Sequence, residues 1–326
     1  MCQNERVKDA DKCIHCHVCQ ENCSFLKKYG LDIGDTEKLN KLAYHCFLCG
    51  KCSEVCPVGI DGQGIIMDMR RASVASDEGA RVNKEYKRTI SEKKEYSYRN
   101  YRHVTEKSVL FPGCNFPSVY PKTTKVLVEL FEKEAGIGVV YDCCGKPIAD
   151  IGMEVEEERI MQGIQKRMDD AGVTEVITMC PNCYAFLKPR LTIRVVNIYQ
   201  KLKEMHLGEK CLTGGTMFRP CPDREKGEWI TDIEAFSDAE FQTLEDIQCC
   251  GLGGQGCAKE PEIAKSFAET VKKYPQTIYT YCGSCAGNLT RNGCKQVRHV
   301  LPEILGTKEK PDTIKSLINR MRTKYL

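Results

Sequence analysis

Ten cysteines in two sets of five carry the strongest chemical signal in this 326-residue chain. The first set is Cys114, Cys143, Cys144, Cys180 and Cys183, and the second is Cys221, Cys249, Cys250, Cys282 and Cys285, in the same order and with similar gaps. Each contains an adjacent pair followed by glycine, Cys143-Cys144-Gly145 and Cys249-Cys250-Gly251. Neighbouring side chains diverge, so such a pair chelates a single ion poorly. It can grip two irons of a cluster lying across the turn, where Gly145 and Gly251 let the backbone come close. Eight further cysteines form two runs of spacing C-x2-C-x2-C-x3-C: Cys13, Cys16, Cys19, Cys23 and Cys46, Cys49, Cys52, Cys56, the second followed by Pro57. This is the ligand run of two-cluster bacterial ferredoxins, in which the fourth cysteine ligates the other cluster. The expected ligands are therefore Cys13, Cys16, Cys19 and Cys56 for one cubane [4Fe-4S] cluster, and Cys46, Cys49, Cys52 and Cys23 for the other. A structural zinc site needs only two thiolate pairs, so a third cysteine at the same spacing, found twice, speaks against zinc. His15, His17 and His45 lie beside these ligands and are expected to shape the local field.

The surrounding composition narrows the class. The chain has 22 cysteines and 41% hydrophobic residues, enough for a sizeable core in two or three domains. Its N-terminus, MCQNERVKDADKC, has neither an apolar segment nor a small-residue cleavage site, so a cytoplasmic location is expected. Thiols stay reduced there, which favours metal ligation over disulfides. No stretch approaches 18 apolar residues, so any membrane association is expected through a partner. The net charge of +3 is uneven: residues 81–107 carry +5 and residues 307–326 carry +4, leaving −6 for the remainder. Neither basic segment has a nucleic-acid-binding pattern, so they read as a linker and a solvated tail helix. In the tail, Ile314, Leu317, Ile318 and Met321 share a helical face with Lys315, Arg320, Arg322 and Lys324 around it, which suits packing or docking on an acidic subunit.

Elements must bring these cysteines to order. The 22 residues between Cys23 and Cys46, with Phe25, Leu26, Leu39, Leu42 and Tyr44, predict helix instead of a compact ferredoxin hairpin. From Ser108 onward strands and helices alternate. A strand Ser108–Phe111 leads to Cys114, Val139–Tyr141 to Cys143 and Cys144, and Glu175–Thr178 to Cys180 and Cys183. A helix Lys122–Lys133 turns Val126, Leu127, Leu130 and Phe131 inward, and a second has its face at Ile160, Ile164 and Met168. The pattern then repeats: Met217-Phe218 leads to Cys221, Ile247 to Cys249 and Cys250, and Thr277–Tyr281 to Cys282 and Cys285. Equivalent cysteines are offset by 107, 106, 106, 102 and 102 residues, and Ile263, Phe267 and Val271 match the second helix face at 103. The expected fold is α/β: a helical two-cluster ferredoxin module followed by two duplicated cysteine-rich lobes with pseudo-two-fold symmetry. The expected boundaries are 1–75, a basic linker 76–107, lobes 108–205 and 206–306, and a C-terminal helix 307–326. Cysteines at the carboxyl ends of strands occupy the usual ligand edge of an open α/β sheet. Gly251, Gly253 and Gly256 spell G-x-G-x-x-G, but cysteines fill the turn and no ribose-binding acid follows a next strand, so no flavin or NAD site is expected. Gly145, Gly251, Gly253 and Gly254 are instead expected to wrap cluster atoms. Cys2, Cys211, Cys257 and Cys294 remain as non-ligands, with Cys257 nearest the glycine loop.

With these motifs the chain resembles a fusion of the ferredoxin-type and Cys-Cys-Gly-type subunits of heterodisulfide reductase, across Cys13 to Cys285. The wider family includes iron–sulfur subunits of glycolate oxidase, anaerobic glycerol-3-phosphate dehydrogenase and lactate-utilisation systems. The resemblance implies a noncubane [4Fe-4S] cluster on each five-cysteine set, fed by the two cubanes and splitting a disulfide, in anaerobic metabolism. It implies as partners a flavoprotein or other redox subunit, a membrane cytochrome or quinone-linked subunit, and a disulfide or thiol substrate. The alternative it implies is a non-catalytic electron-transfer subunit of a flavoprotein dehydrogenase complex, passing electrons to quinone, ferredoxin or a terminal reductase. Around Cys221 the family's His-Asp-Pro-Cys-His is replaced by Met217-Phe-Arg-Pro-Cys221-Pro-Asp, and His299 is a candidate proton donor.

Overall fold

In the computed structural model, which describes residues 9–326, the chain folds as two units. Cys2 lies outside the described residues. The first unit joins residues up to Lys94 with the later stretches Pro147–Glu157 and Glu245–Val271. It is helical, in short pieces because each cysteine loop interrupts the ladder: Val18–Asn22, Ser24–Tyr29, Thr36–Lys41, Lys51–Glu54 and Gly62–Ala75. Phe25, Leu26 and Leu39 of the expected helical insert are buried. Gly30, at φ +62°, ends Ser24–Tyr29 in the left-handed region, where a side chain would be strained. Asp61 starts Gly62–Ala75 by accepting a hydrogen bond from the Gly64 amide. That helix buries Ile65, Ile66, Met69 and Arg70. The segment 76–107, expected as a basic linker, is folded. It forms helices Gly79–Glu85 and Lys87–Lys93 and a strand, because Val82, Tyr86 and Tyr96 anchor it inside while most of its charges, buried Lys93 apart, face water.

The second unit, Glu95–Lys146, Glu158–Leu244 and Lys272–Leu326, holds two sheets. The first comprises β1 (Asn100–His103), β2 (Lys107–Phe111), β3 (Gly138–Tyr141), β4 (Val173–Thr178) and β5 (Arg194–Asn197), in the order β1-β3-β2-β4-β5. The second comprises β6 (Gly215–Met217), β7 (Phe241–Thr243), β8 (Ile278–Thr280) and β9 (Val297–His299), in the order β7-β6-β8-β9. All pairings are parallel except that of β1 with β3. Removing the antiparallel edge strand β1 leaves β3-β2-β4-β5, which is the order of the second sheet, so the duplication read from cysteine offsets is present in the strand topology. Runs such as Val139-Val140 and Val176-Ile177 are buried on both faces, as parallel strands covered by helices require.

Three local expectations are corrected. Val126 on helix Pro121–Ala135 is exposed, and Thr123 and Thr124 complete the face of Leu127 and Phe131. No strand forms at Ile247: β7 ends at Thr243, so a longer loop leads to Cys249 than the single residue Asp142 that joins β3 to Cys143. The tail helix spans only Ser316–Arg322. Its buried side is Asn319, with Thr323 just beyond, whereas Ile314, Leu317, Ile318 and Met321 face outward. No helix among the described residues is long and apolar enough to cross a membrane.

Candidate metal centres

In the first unit, Cys13, Cys16, Cys19 and Cys56 line one small pocket with Asp32 and His17. Cys16 is exposed and Cys19 buried. The Cys19 thiol lies 3.6 Å from Asp32 Oδ1, and burial first, then that carboxylate, push its pKa up to about 11. Asp32 is 2% exposed and also faces His17 Nδ1 at 2.8 Å and His15 Nδ1 at 3.3 Å. Cys23, Cys46, Cys49 and Cys52 form a second group. Burial raises the Cys23 thiol to about 12, with Cys49 and Cys46 adding to it, and Cys52 is raised by burial and by Cys46, Cys23 and Cys49. The two runs share a backbone device. His15 and His17 in one, Leu48 and Gly50 in the other, take positive φ at matching places around the second cysteine of each run. Consecutive turns of this kind aim amides inward and favour a bound anion. The amides of Leu48 and Ile60 lie 3.3 Å from Cys46 Sγ and Cys56 Sγ.

Two residues without a sequence signature attend the second group. Gln248 Nε2 donates to Cys23 Sγ and to Cys49 Sγ, each at 3.4 Å, while its Oε1 accepts from the Ser24 amide at 2.8 Å. The fully buried Arg70 donates to the carbonyls of Ala43, Cys46 and Asp150.

In the second unit the carboxyl ends of β2, β3 and β4 deliver the first five-cysteine set. Cys114 follows Pro112-Gly113, Cys143 and Cys144 follow Asp142, Cys180 precedes helix Pro181–Leu187 and Cys183 lies in its first turn. Hydrogen bonds from Cys143 and Cys183 hold the Cys144 thiol down at about 5. Asp142 is buried; it accepts from the Cys143 amide at 2.8 Å, Tyr101 Oη at 2.9 Å and Arg99 Nε at 3.0 Å, fixing the turn. Cys282 precedes helix Gly283–Arg291 as Cys180 precedes its own, and Cys282 is hydrogen-bonded to both Cys180 and Cys285 with Cys221 nearby. The second set is divided: Cys221, Cys282 and Cys285 belong to this unit, and Cys249 and Cys250 to the first.

The donor groups suit iron–sulfur clusters. No disulfide joins the described cysteines, and eighteen of them lie in the expected sets. Close glycines keep the thiol surroundings clear. A Cβ at Gly34 would stand 2.9 Å from Cys13 Sγ, at Gly62 2.7 Å from Cys52 Sγ, and at Gly113 2.9 Å from Cys183 Sγ. Gly145 and Gly251, at φ +91° and +82°, also make close approaches, but to the helices that follow them: a Cβ would meet Ile160 at 2.9 Å and the Ala264 carbonyl oxygen at 2.8 Å. Gly253 and Gly254 also make close approaches, beside the expected ligand Cys46. Their loop lies on the Phe47 backbone, where a Cβ on Gly254 would come within 2.5 Å. His45 is engaged by buried Glu260, which also accepts from Tyr29 Oη at 2.7 Å and Lys28 Nζ at 2.5 Å. His299 is buried between Phe116 and Tyr120, its Nδ1 accepting from the Leu301 amide, so it caps a helix and is not an accessible proton donor. Cys211 is exposed, Cys257 half-buried and Cys294 fully buried.

Comparison with known proteins agrees in class. Residues 9–60 match the 4Fe-4S dicluster domain, and residues 108–188 and 215–290 match the cysteine-rich domain. The chain is 26% identical to a subunit of the fumarate reductase (CoM/CoB) of Methanothermobacter marburgensis, over 84% of this chain and 66% of that protein. It is 24% identical to uncharacterized iron–sulfur proteins of Methanococcus maripaludis and Methanocaldococcus jannaschii, over 81% and 82% of this chain and 63% of each of theirs. It thus spans just under two thirds of the length of these relatives.

Proposed function

We propose that this chain, built like heterodisulfide reductase-type iron–sulfur proteins from one 4Fe-4S dicluster domain and two cysteine-rich domains, transfers electrons to a disulfide. Two cubane clusters are held by Cys13, Cys16, Cys19 and Cys56 and by Cys23, Cys46, Cys49 and Cys52. A noncubane cluster is held by Cys114, Cys143, Cys144, Cys180 and Cys183, and Cys221, Cys282 and Cys285 follow the matching strands of the second sheet. Clusters of this kind supply one-electron steps at sites that thiolate sulfur can also bind. The chain's own residues hold and shape these sites. Strand ends fix the thiols of the first five, Asp142 orients the turn through the Cys143 amide, and burial of Cys143, Cys144 and Cys183 excludes water. A substrate disulfide takes up two electrons, delivered singly from a flavoprotein or other redox subunit, and two protons; the S–S bond breaks and two thiols leave. The carrying observation is that all five cysteines of the first set fall in one unit, with Cys144 hydrogen-bonded to Cys143 and Cys183. The name of the Methanothermobacter relative, a fumarate reductase (CoM/CoB) subunit, supports a redox role within a larger reductase.

One observation favours the second reading, a non-catalytic electron-transfer subunit of a flavoprotein dehydrogenase complex. Asp223, beside Cys221, is buried and taken by Tyr281 Oη at 2.6 Å and the Trp229 amide at 3.1 Å, which withdraws it from a substrate. Anaerobically reconstituted protein with counted iron and sulfide separates the two. Disulfide cleavage driven by reduced viologen supports the first reading. Full cluster content with electron shuttling from a flavoprotein and no thiol release sinks it.

A further inference from the structure

We infer that the ferredoxin module is electrically polarised, with Gln248 raising the potential of the cluster on Cys23, Cys46, Cys49 and Cys52 and making it the exit toward Cys249 and Cys250. This rests on the cluster assignment above. The environments of the two ferredoxin cysteine groups have opposite electrostatic character. Around the first, the buried carboxylate of Asp32 lies 3.6 Å from Cys19 Sγ, with His15 and His17, more than half exposed, facing it at 3.3 and 2.8 Å. A fixed negative charge so placed opposes arrival of an electron. Around the second, Gln248 aims one amide at two ligands, Cys23 Sγ and Cys49 Sγ, from opposite ends of the cysteine pattern. Its orientation is fixed because Oε1 already accepts from the Ser24 amide; the flipped amide would set an oxygen against two thiolates. Hydrogen bonds to cluster sulfurs raise the potential, since they strengthen as electron density accumulates on sulfur. Arg70 adds a buried cation, hydrogen-bonded to the Cys46 carbonyl at 2.8 Å.

Gln248 is also the residue before Cys249, so one residue touches the sulfurs of the second ferredoxin group and is covalently joined to the Cys-Cys pair. The duplicated position in the first lobe makes the contrast. There Asp142 turns to Arg99 and Tyr101 of its own unit, so the two copies have diverged at the residue where one of them meets the ferredoxin cysteines. Exposed Cys16 places the low-potential cluster where an external donor can reach it. Electrons therefore run from the Asp32 side to the Gln248 side and on to Cys249 and Cys250.

The test is a potentiometric titration followed by EPR on anaerobically reconstituted full-length protein, parent and variants, with iron and sulfide counted in each. Gln248→Met removes the amide, and Gln248→Glu keeps the shape and the acceptor for Ser24. Each is expected to shift the reduction equilibrium of one cubane about tenfold toward the oxidised form, which is about 59 mV for one electron, with the glutamate variant shifted further. Asp32→Asn is expected to shift the other cubane the opposite way. The inference is overturned if the Gln248 variants keep full iron and leave both cubane potentials unchanged. Loss of the same cluster from both variants overturns it too, since the amide would then hold the fold and not the potential. Zinc, or iron too low for the cubanes, in the parent would instead defeat the cluster assignment itself.

Discussion

A cysteine site tolerates little added volume, and Gly34 tests this. Its Cβ would lie 2.5 Å from Cys13 Cβ, so Gly34→Ala is expected to lose the cubane on that side, read as an iron and sulfide count lowered by one cluster. Gly30→Ala, with φ +62° but open space around it, is expected to keep its clusters and lose about 1–2 kcal/mol of stability. His299 gives a pH signature. Burial pushes its pKa from 6.5 down to about 3, so the unfolded chain gains a proton as pH falls through 6.5 while the native chain stays neutral until about 3. Stability contributed by neutral His299 is thus complete above 6.5 and lost between those limits. His299→Gln is expected to flatten that slope in anaerobic denaturant titrations, and an unchanged slope would assign it to other groups. The cysteines could be found from sequence because metal ligation constrains their spacing. Asp32, Arg70 and Gln248 could not, because their partners lie elsewhere along the chain, as far as 225 residues for Gln248 and Cys23.

Short elements decide which faces are buried, and the tail helix Ser316–Arg322 shows how composition misleads. Its apolar stripe suits packing or docking on an acidic subunit, but the residue buried in this unit is Asn319, whose amide donates to the Ser118 carbonyl at 3.2 Å and to Asp312 Oδ2 at 3.1 Å. Asn319→Ala is therefore expected to cost about 1–3 kcal/mol, because the Ser118 acceptor loses its donor. Leu317→Ala, at a half-exposed position, is expected to stay within about 0.5 kcal/mol. Equal costs in chemical denaturation would mean that the apolar stripe carries the packing. The strands before Cys114, Cys143 and Cys180 were legible, being apolar runs buried toward their carboxyl ends. The strand expected at Ile247 was not a strand, since one buried isoleucine between Asp246 and Gln248 does not make a run. Segment 76–107 read as a linker because lysine and arginine dominate it, but a few anchoring aromatics are enough to fold a charged helix.

For the whole molecule, cysteine offsets foretold a duplication, and the common strand order bears it out. Offsets carry no information about which unit a loop joins, so the return of residues 147–157 and 245–271 to the ferredoxin-bearing unit was not legible. A fragment of residues 1–94 lacks Gln248, Glu260 and the Asp150 carbonyl that Arg70 uses, and is expected to hold fewer clusters than the same segment within the full chain. Equal iron in fragment and full chain would show those late contacts to be dispensable. A unit assembled from three separated stretches also has a schedule. During synthesis, which tends to fold domains from the N-terminus onward, the eight cysteines of the two ferredoxin-type runs emerge long before Gln248 and Glu260 exist to close over them. Cys13 to Cys56 thus wait for about two hundred residues of translation before the stretch that carries Gln248 and Glu260 exists to join them.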